Sequence, residues 1–168
     1  AYVYLEPFME IEVYYDIVAK FHAAGVHQHM YTNGIRANEE NLRALARAGL
    51  DELRFNVGAT NCADSVLRNM AIAKKYLPRV GIETPMTPEF FHTFLQKKDA
   101  ILATGVDFIN CAELHLNENN LANYLSEPMY MYRQGYLSPI WSRELTLKFL
   151  RRAAEEDWGV AVHACSDR

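Results

Sequence analysis

Cysteine is scarce in this chain and wrongly spaced for a metal knuckle. Only Cys62, Cys111 and Cys165 occur, an odd number at wide separations, which excludes a disulfide framework and any Cys-x-x-Cys ligand pair. Thiols of this kind suit a reducing, cytoplasmic setting. Basic tracts are also missing. The nearest approach is Arg151-Arg152, followed at once by Glu155-Glu156, and the formal net charge is -4. Phosphate backbones need a basic patch to neutralise them, so no nucleic-acid partner is expected. Apolar runs are far too short to cross a bilayer, so no membrane partner is expected either. No Gly-x-Gly-x-x-Gly follows the first strand, which removes support for a dinucleotide-binding sheet.

What is present is a strand–helix rhythm. The chain has 168 residues, half of them apolar, enough for one domain with a sizeable core. Tyr2 to Leu5 reads as a short buried strand. Met9 to Ala24 reads as a helix, with Ile11, Tyr14, Tyr15, Val18 and Phe21 recurring at three and four and Gly25 ending it. Strands follow over Val26 to Tyr31, Glu52 to Val57, Val80 to Thr84, Val106 to Ala112 and Gly159 to Ala164. Helices separate them. Asn38 caps one and Gly49 closes it. Another spans about Ala63 to Tyr76. Thr87-Pro88 opens a third, and Ser142 is expected to cap the last, which runs to about Asp157.

Strands alternating with amphipathic helices imply right-handed crossovers and parallel pairing. The expected fold is α/β: a partial, open (β/α) barrel of about six parallel strands, TIM-barrel-like, filling residues 1–168 as one N-terminally truncated domain. The chain opens at Ala1 directly in an apolar run, and it is expected to be a fragment of a longer protein. Polar side chains collect at the strand C-termini, where barrel enzymes carry their chemistry: Glu6, Thr32, Asn33, Asn56, Glu83, Asn110, Glu113 and His163. Arg54 lies two residues before Asn56 and shares its face.

One stretch breaks the rhythm. Residues 113–141 contain Asn117, Asn119, Asn120, then Tyr124, Tyr130, Tyr132 and Tyr136. Connections of this length are usually functional, and this one follows a strand on the site side. A lid or substrate-contact segment and a tyrosine-rich loop packed on its own barrel are both open readings.

Five short motifs in order resemble the radical S-adenosylmethionine superfamily, and within it the pyruvate formate-lyase activating enzyme-like proteins. Leu5-Glu6-Pro7 sits where that family has Gly-Gly-Glu-Pro. Tyr31-Thr32-Asn33-Gly34 is similar to its Thr-Asn-Gly turn, and Ala48-Gly49-Leu50-Asp51-Glu52-Leu53-Arg54-Phe55 to its Ala-Gly-Leu-Asp-Glu-Ile-Arg-Phe run. Val80-Gly81-Ile82-Glu83-Thr84-Pro85 and Val106-Asp107-Phe108-Ile109-Asn110, leading to Glu113, resemble the next two strands. The resemblance implies an oxidoreductase that cleaves S-adenosylmethionine reductively with a [4Fe–4S] cluster, making a 5'-deoxyadenosyl radical for hydrogen abstraction. Its Cys-x3-Cys-x2-Cys motif is absent, so the cluster and the activity are expected of the parent, and no cluster and no turnover of this chain alone. Tyr4 and Leu5 replace both glycines before Glu6.

By family position, Glu6 would accept a hydrogen bond from the cofactor's ammonium; a helix-start carboxylate is the alternative. Arg54 would meet the cofactor's carboxylate or serve as a salt-bridged wall residue, and Asn56 would meet ribose hydroxyls. Glu83 would bind ribose or a second ligand, or be structural. Thr32 and Asn33 would contact cofactor or only shape the turn. Asn110 and Glu113 would lie near adenine or substrate. A protein or peptide is one candidate substrate, and the uncovered edge at Tyr2 to Leu5 is expected to self-associate. Two other readings stay open. His27-Gln28-His29, with Glu83, Glu113, His115 and His163, suits a metal-dependent barrel hydrolase or isomerase. A degenerate barrel that binds a nucleotide or protein partner without turnover is the other.

Overall fold

The computed structural model describes residues 1–3, 5–132 and 135–165. In chain order its regular elements are α1 (Ile11–Ala23), β1 (His29–Thr32), α2 (Glu39–Ala48), β2 (Glu52–Phe55), α3 (Asp64–Tyr76), β3 (Arg79–Met86), α4 (Pro88–Leu102), β4 (Phe108–Glu113), β5 (Met129–Tyr132), β6 (Tyr136–Pro139), α5 (Ile140–Glu155) and β7 (Ala161–His163). Short 3-10 turns occupy Pro7–Met9, Val57–Thr60 and Leu121–Tyr124. The fold is α/β, with a five-stranded parallel sheet ordered β1-β2-β3-β4-β7. A separate antiparallel hairpin, β5-β6, falls between β4 and α5. Among the described residues no helix is long and apolar enough to cross a membrane.

Local chemistry sets the helix ends. The Asn38 side chain accepts the Asn41 N–H at 2.9 Å, and Thr87 Oγ1 accepts the Phe90 N–H at 3.1 Å, each satisfying a first-turn donor. Gly49 ends α2 at φ 91, in the left-handed region that glycine adopts without a Cβ penalty.

Alternation along the strands divides the sheet into two unlike faces. Met30, Leu53, Phe55, Val80, Ile82, Ile109 and Cys111 are buried in one apolar cluster with helix residues Leu42, Leu45, Val66, Met70, Phe94 and Phe149. Within it Phe94 packs edge-on to Phe149 with centroids 4.7 Å apart and stacks on Trp158 at 5.2 Å, tying α4 to α5. Each such aromatic contact adds about 0.5–1.5 kcal/mol beyond its area burial.

The opposite face carries Tyr31, Glu52, Arg54, Glu83, Phe108, Asn110 and His163, brought side by side by the register pairs Tyr31↔Arg54, Glu83↔Asn110 and Asn110↔His163. Gly81 leaves room for the Phe108 ring, because a Cβ there would lie 2.0 Å from it. The Arg79 and Arg54 guanidiniums lie 4.7 and 5.5 Å from that ring's centroid.

Three expectations need correction. The strand expected over Tyr2 to Leu5 is a single parallel bridge, Tyr2 to Met30; Leu5 turns the chain away at φ 54, and Tyr4 lies outside the described residues. Among the described residues the parallel sheet therefore has five strands, one fewer than the about six expected. Ser142 does not cap α5, which begins at Ile140 behind Pro139. Its buried hydroxyl instead donates to the Met86 carbonyl and accepts the Leu114 N–H, both at 2.8 Å, stitching α5 to the ends of β3 and β4.

Candidate functional site

A cleft of about 610 Å3 opens at the C-terminal ends of β1 to β4. Of the residues singled out from the sequence, Glu6, Thr32, Asn33, Asn56, Glu83 and Glu113 line it. Arg54, Asn110 and His163 do not.

Glu6 is held firmly. Its Oε1 accepts the Thr32 hydroxyl at 2.8 Å and the Phe8 N–H at 3.1 Å, and its Oε2 accepts the Asn33 N–H at 2.6 Å. Glu6 therefore caps the Pro7–Met9 turn and clamps it to the tip of β1. All these donors are neutral, so its negative charge is oriented but not cancelled. Asn33 Oδ1 accepts the Ile35 N–H at 2.9 Å, and Thr32 Oγ1 accepts the Gly34 N–H at 2.9 Å. Both residues shape the turn while lining the cleft.

Asn56 caps the Val57–Thr60 turn. Its Oδ1 accepts the Ala59 N–H at 3.2 Å and the Thr84 hydroxyl at 2.9 Å. Gly58 permits this close approach, because a Cβ on it would lie 2.3 Å from the Thr84 hydroxyl.

Glu83 is paired with a cation and an amide. Arg54 Nη1 donates to its Oε2 at 2.9 Å and Asn110 Nδ2 to its Oε1 at 2.7 Å. Asn110, 2 % exposed, in turn accepts the Cys165 N–H at 2.8 Å. Arg54 also bonds the buried Glu52 and the Tyr31 hydroxyl. Burial works against the Arg54 charge, but its bond to Glu52 and the charges of Tyr31, Glu52 and Glu83 outweigh it and raise its pKa. Tyr31 is raised by burial and then by Glu83, with Arg54 opposing. Arg54 thus stands behind Glu83 as a salt-bridged wall residue.

Glu113 is pinned from the helix side. Arg143 Nη1 donates to its Oε1 at 2.9 Å, and the Tyr130 hydroxyl, from the hairpin, donates to its Oε2. Burial and then Glu113 raise the Tyr130 pKa. Sequence reasoning missed Tyr31 and Thr84 as lining residues, while Asn120 lies in the stretch read as a lid or substrate-contact segment; the two-residue spacing of Tyr31 from His29 was the available signal for its face. His115 also lines the cleft, its ring stacked on Tyr136 at 4.9 Å. His163 instead stacks on Phe108 at 5.8 Å. His27 and His29 lie at the opposite end, before and at the start of β1.

No family model matches the chain. A Methanocaldococcus jannaschii protein, named as a candidate glycyl-radical enzyme activating enzyme, is 36% identical over 101 residues. The match covers 56% of this chain and 27% of that protein, so the chain spans about a quarter of the length of the curated relative.

The cleft suits a ligand with a cationic head and a hydroxylated body. Its volume lies in the usual range of small-molecule sites, roughly 300–1,000 Å3. Glu6 and Glu83 offer carboxylate acceptors, Asn33 and Asn56 offer amides, and Val3, Leu5, Pro85 and Leu114 supply apolar wall. That donor set fits S-adenosylmethionine. An iron–sulfur cluster needs three converging thiolates, and this chain does not supply them. Burial raises the Cys62 thiol to about 11 and the Cys111 thiol to about 12, and no group of three possible ligands gathers among the described residues.

Proposed function

We propose that this chain is the S-adenosylmethionine-binding part of a radical S-adenosylmethionine enzyme of the glycyl-radical activating kind. The supporting observation is the convergence of Glu6 from the N-terminal turn, Asn56 from the end of β2 and Glu83 from β3 into one cleft. The match to the archaeal protein agrees with it. Residues 1–168 then form one domain, a portion of an open (β/α) barrel whose inner wall is the face bearing Glu52, Arg54 and Glu83. Helices covering one face of a parallel sheet, with the cleft at the strands' C-terminal ends, are the barrel's arrangement.

In this reading Glu6 accepts a hydrogen bond from the ligand's ammonium, because its charge is oriented yet uncancelled. Asn56 offers its amide N–H to the ribose hydroxyls, since its carbonyl oxygen is already engaged. Glu83 accepts from the ribose or from a second ligand, and Arg54 and Asn110 fix its orientation. Thr32 and Asn33 hold the rim in shape, and Glu113 borders the substrate side. When bound, S-adenosylmethionine supplies a 5'-deoxyadenosyl radical after one-electron reduction. The reductant, a [4Fe–4S] cluster, belongs to the whole protein. The substrate is a protein, as the archaeal protein's name implies for that protein, and the setting is cytoplasmic. Leu5, at the rim with φ 54, favours a second reading, a barrel that binds a nucleotide without turnover.

Calorimetric titration with S-adenosylmethionine tests this. Saturable binding is expected, weakened about tenfold in Glu83→Gln and in Asn56→Ala, the loss of one or two polar contacts. No heat at millimolar ligand, or affinity unchanged from the parent in both variants, refutes the assignment.

A further inference from the structure

Three residues lining the cleft carry hydroxyls: Tyr31, Thr32 and Thr84. Two of those protons are committed within the fold, Thr32 donating to Glu6 and Thr84 to Asn56. Tyr31 differs. Its oxygen accepts Arg54 Nη1 at 2.9 Å, and among the described residues its own proton meets no acceptor. Burial and then the Glu83 charge raise the Tyr31 pKa, so the phenol keeps that proton at neutral pH. The ring is also fixed in place. Its centroid lies 5.4 Å from the Arg54 guanidinium and 5.5 Å from that of the His29 ring. A half-buried donor of this kind is stabilised by any acceptor that enters the cleft.

The neighbour that matters is Glu83. The same nitrogen, Arg54 Nη1, also donates to Glu83 Oε2 at 2.9 Å. Its two N–H bonds diverge by about 120°, which sets the two oxygens about 5 Å apart. One ligand hydroxyl spans that gap with two ordinary bonds of about 2.8 Å. It donates to Glu83, whose carboxylate oxygens each accept more than one bond, and it accepts from Tyr31. Other groups fit less well. A carboxylate is repelled by Glu83, and an ammonium has no lone pair for Tyr31.

We infer that Tyr31 and Glu83 together read one hydroxyl of a ligand's sugar, so that Tyr31 sets the cleft's preference for ribose over deoxyribose. The inference rests on the nucleoside-bearing ligand proposed above, and it makes Tyr31 a specificity-determining residue. Arg54 positions both oxygens from behind.

The test titrates adenosine, 2'-deoxyadenosine and 3'-deoxyadenosine by ligand-observed NMR, and S-adenosylmethionine by calorimetry, into the parent and Tyr31→Phe. Phenylalanine keeps the ring against Arg54 and His29, so an unchanged urea midpoint is expected. In the parent, one of the two deoxynucleosides is expected to bind about tenfold more weakly than adenosine. Tyr31→Phe is expected to weaken adenosine about fivefold and to leave that deoxynucleoside within about twofold of its parent affinity. A merely structural tyrosine would weaken all three alike, and that result overturns the inference. So does unchanged adenosine affinity in Tyr31→Phe, or no saturable adenosine binding by the parent. S-adenosylmethionine binding that ignores Tyr31→Phe would sink the role of Tyr31 and leave the cofactor assignment standing. The expected nucleoside pattern without heat from S-adenosylmethionine would refute the cofactor assignment alone.

Discussion

The Glu6 carboxylate and the Asn33 N–H meet at 2.6 Å, joining the N-terminal turn to the tip of β1. Two residues distant in sequence thereby fix one wall of the cleft. Glu6→Ala leaves the Asn33 and Phe8 N–H groups without their acceptor, and the expected loss is about 1–2 kcal/mol. Glu6→Gln keeps one acceptor oxygen and is expected to cost about half as much. Urea midpoints of the three proteins measure this. An unchanged midpoint in Glu6→Ala would mean that the clamp does not form in solution.

His29 gives the fold an acid-sensitive point beneath the site. Burial lowers its pKa first, followed by Arg54, the Ala1 ammonium and His27, with Glu52 opposing. A histidine with a depressed folded pKa takes up its proton more readily in the unfolded chain. Stability is therefore fully present above the ordinary value of 6.5 and falls as pH drops through the depressed one. His29→Gln is expected to flatten the stability profile between pH 7 and about pH 5. Arg54→Met is expected to lessen the acid dependence as well. It also strands Glu83 and leaves the buried Glu52 with Arg79 alone, at a cost of about 3 kcal/mol across the whole range. Stability measured by urea at both pH values separates the two effects.

Much of this was legible in the sequence where the signal is local. The caps at Asn38 and Thr87, the stop at Gly49 and the polar strand tips follow from single residues and short periods. Ser142 was misread because a serine before an apolar helix resembles a cap, while its buried role depends on Met86 and Leu114 from other elements. Arg54 and Asn110 were grouped with the lining residues because strand alternation gives the face but not the depth. Only the ion pair of Arg54 and the hydrogen bond of Asn110 to Glu83 show that they stand behind it. The β5-β6 hairpin was hidden because its Tyr-rich strands lack the alternation of a half-buried sheet.

The three thiols are expected to differ sharply in reactivity. Thiolate is the reacting form, and burial raises Cys62 to about 11 and Cys111 to about 12. Cys165 is exposed. With Ellman's reagent at pH 8 the native protein should release one equivalent quickly, and the urea-unfolded protein all three. Rapid release of a second equivalent from native protein would show that the core around Cys62 or Cys111 opens on the assay timescale.

Leu5 occupies the left-handed region at φ 54 while its side chain is 85% exposed. The strain is thus not offset by packing. Left-handed backbone costs an L-residue about 1–2 kcal/mol, and glycine escapes this at an entropic cost of about 0.5–1 kcal/mol. Leu5→Gly is therefore expected to raise stability by about 0.5–1 kcal/mol. Leu5→Val, branched at Cβ, should lower it, since such residues at positive φ are outliers. Because Leu5 also forms part of the cleft rim, Leu5→Gly should tighten S-adenosylmethionine as well, by clearing the approach to Glu6. A gain in stability with no gain in affinity would place the leucine outside the ligand's path.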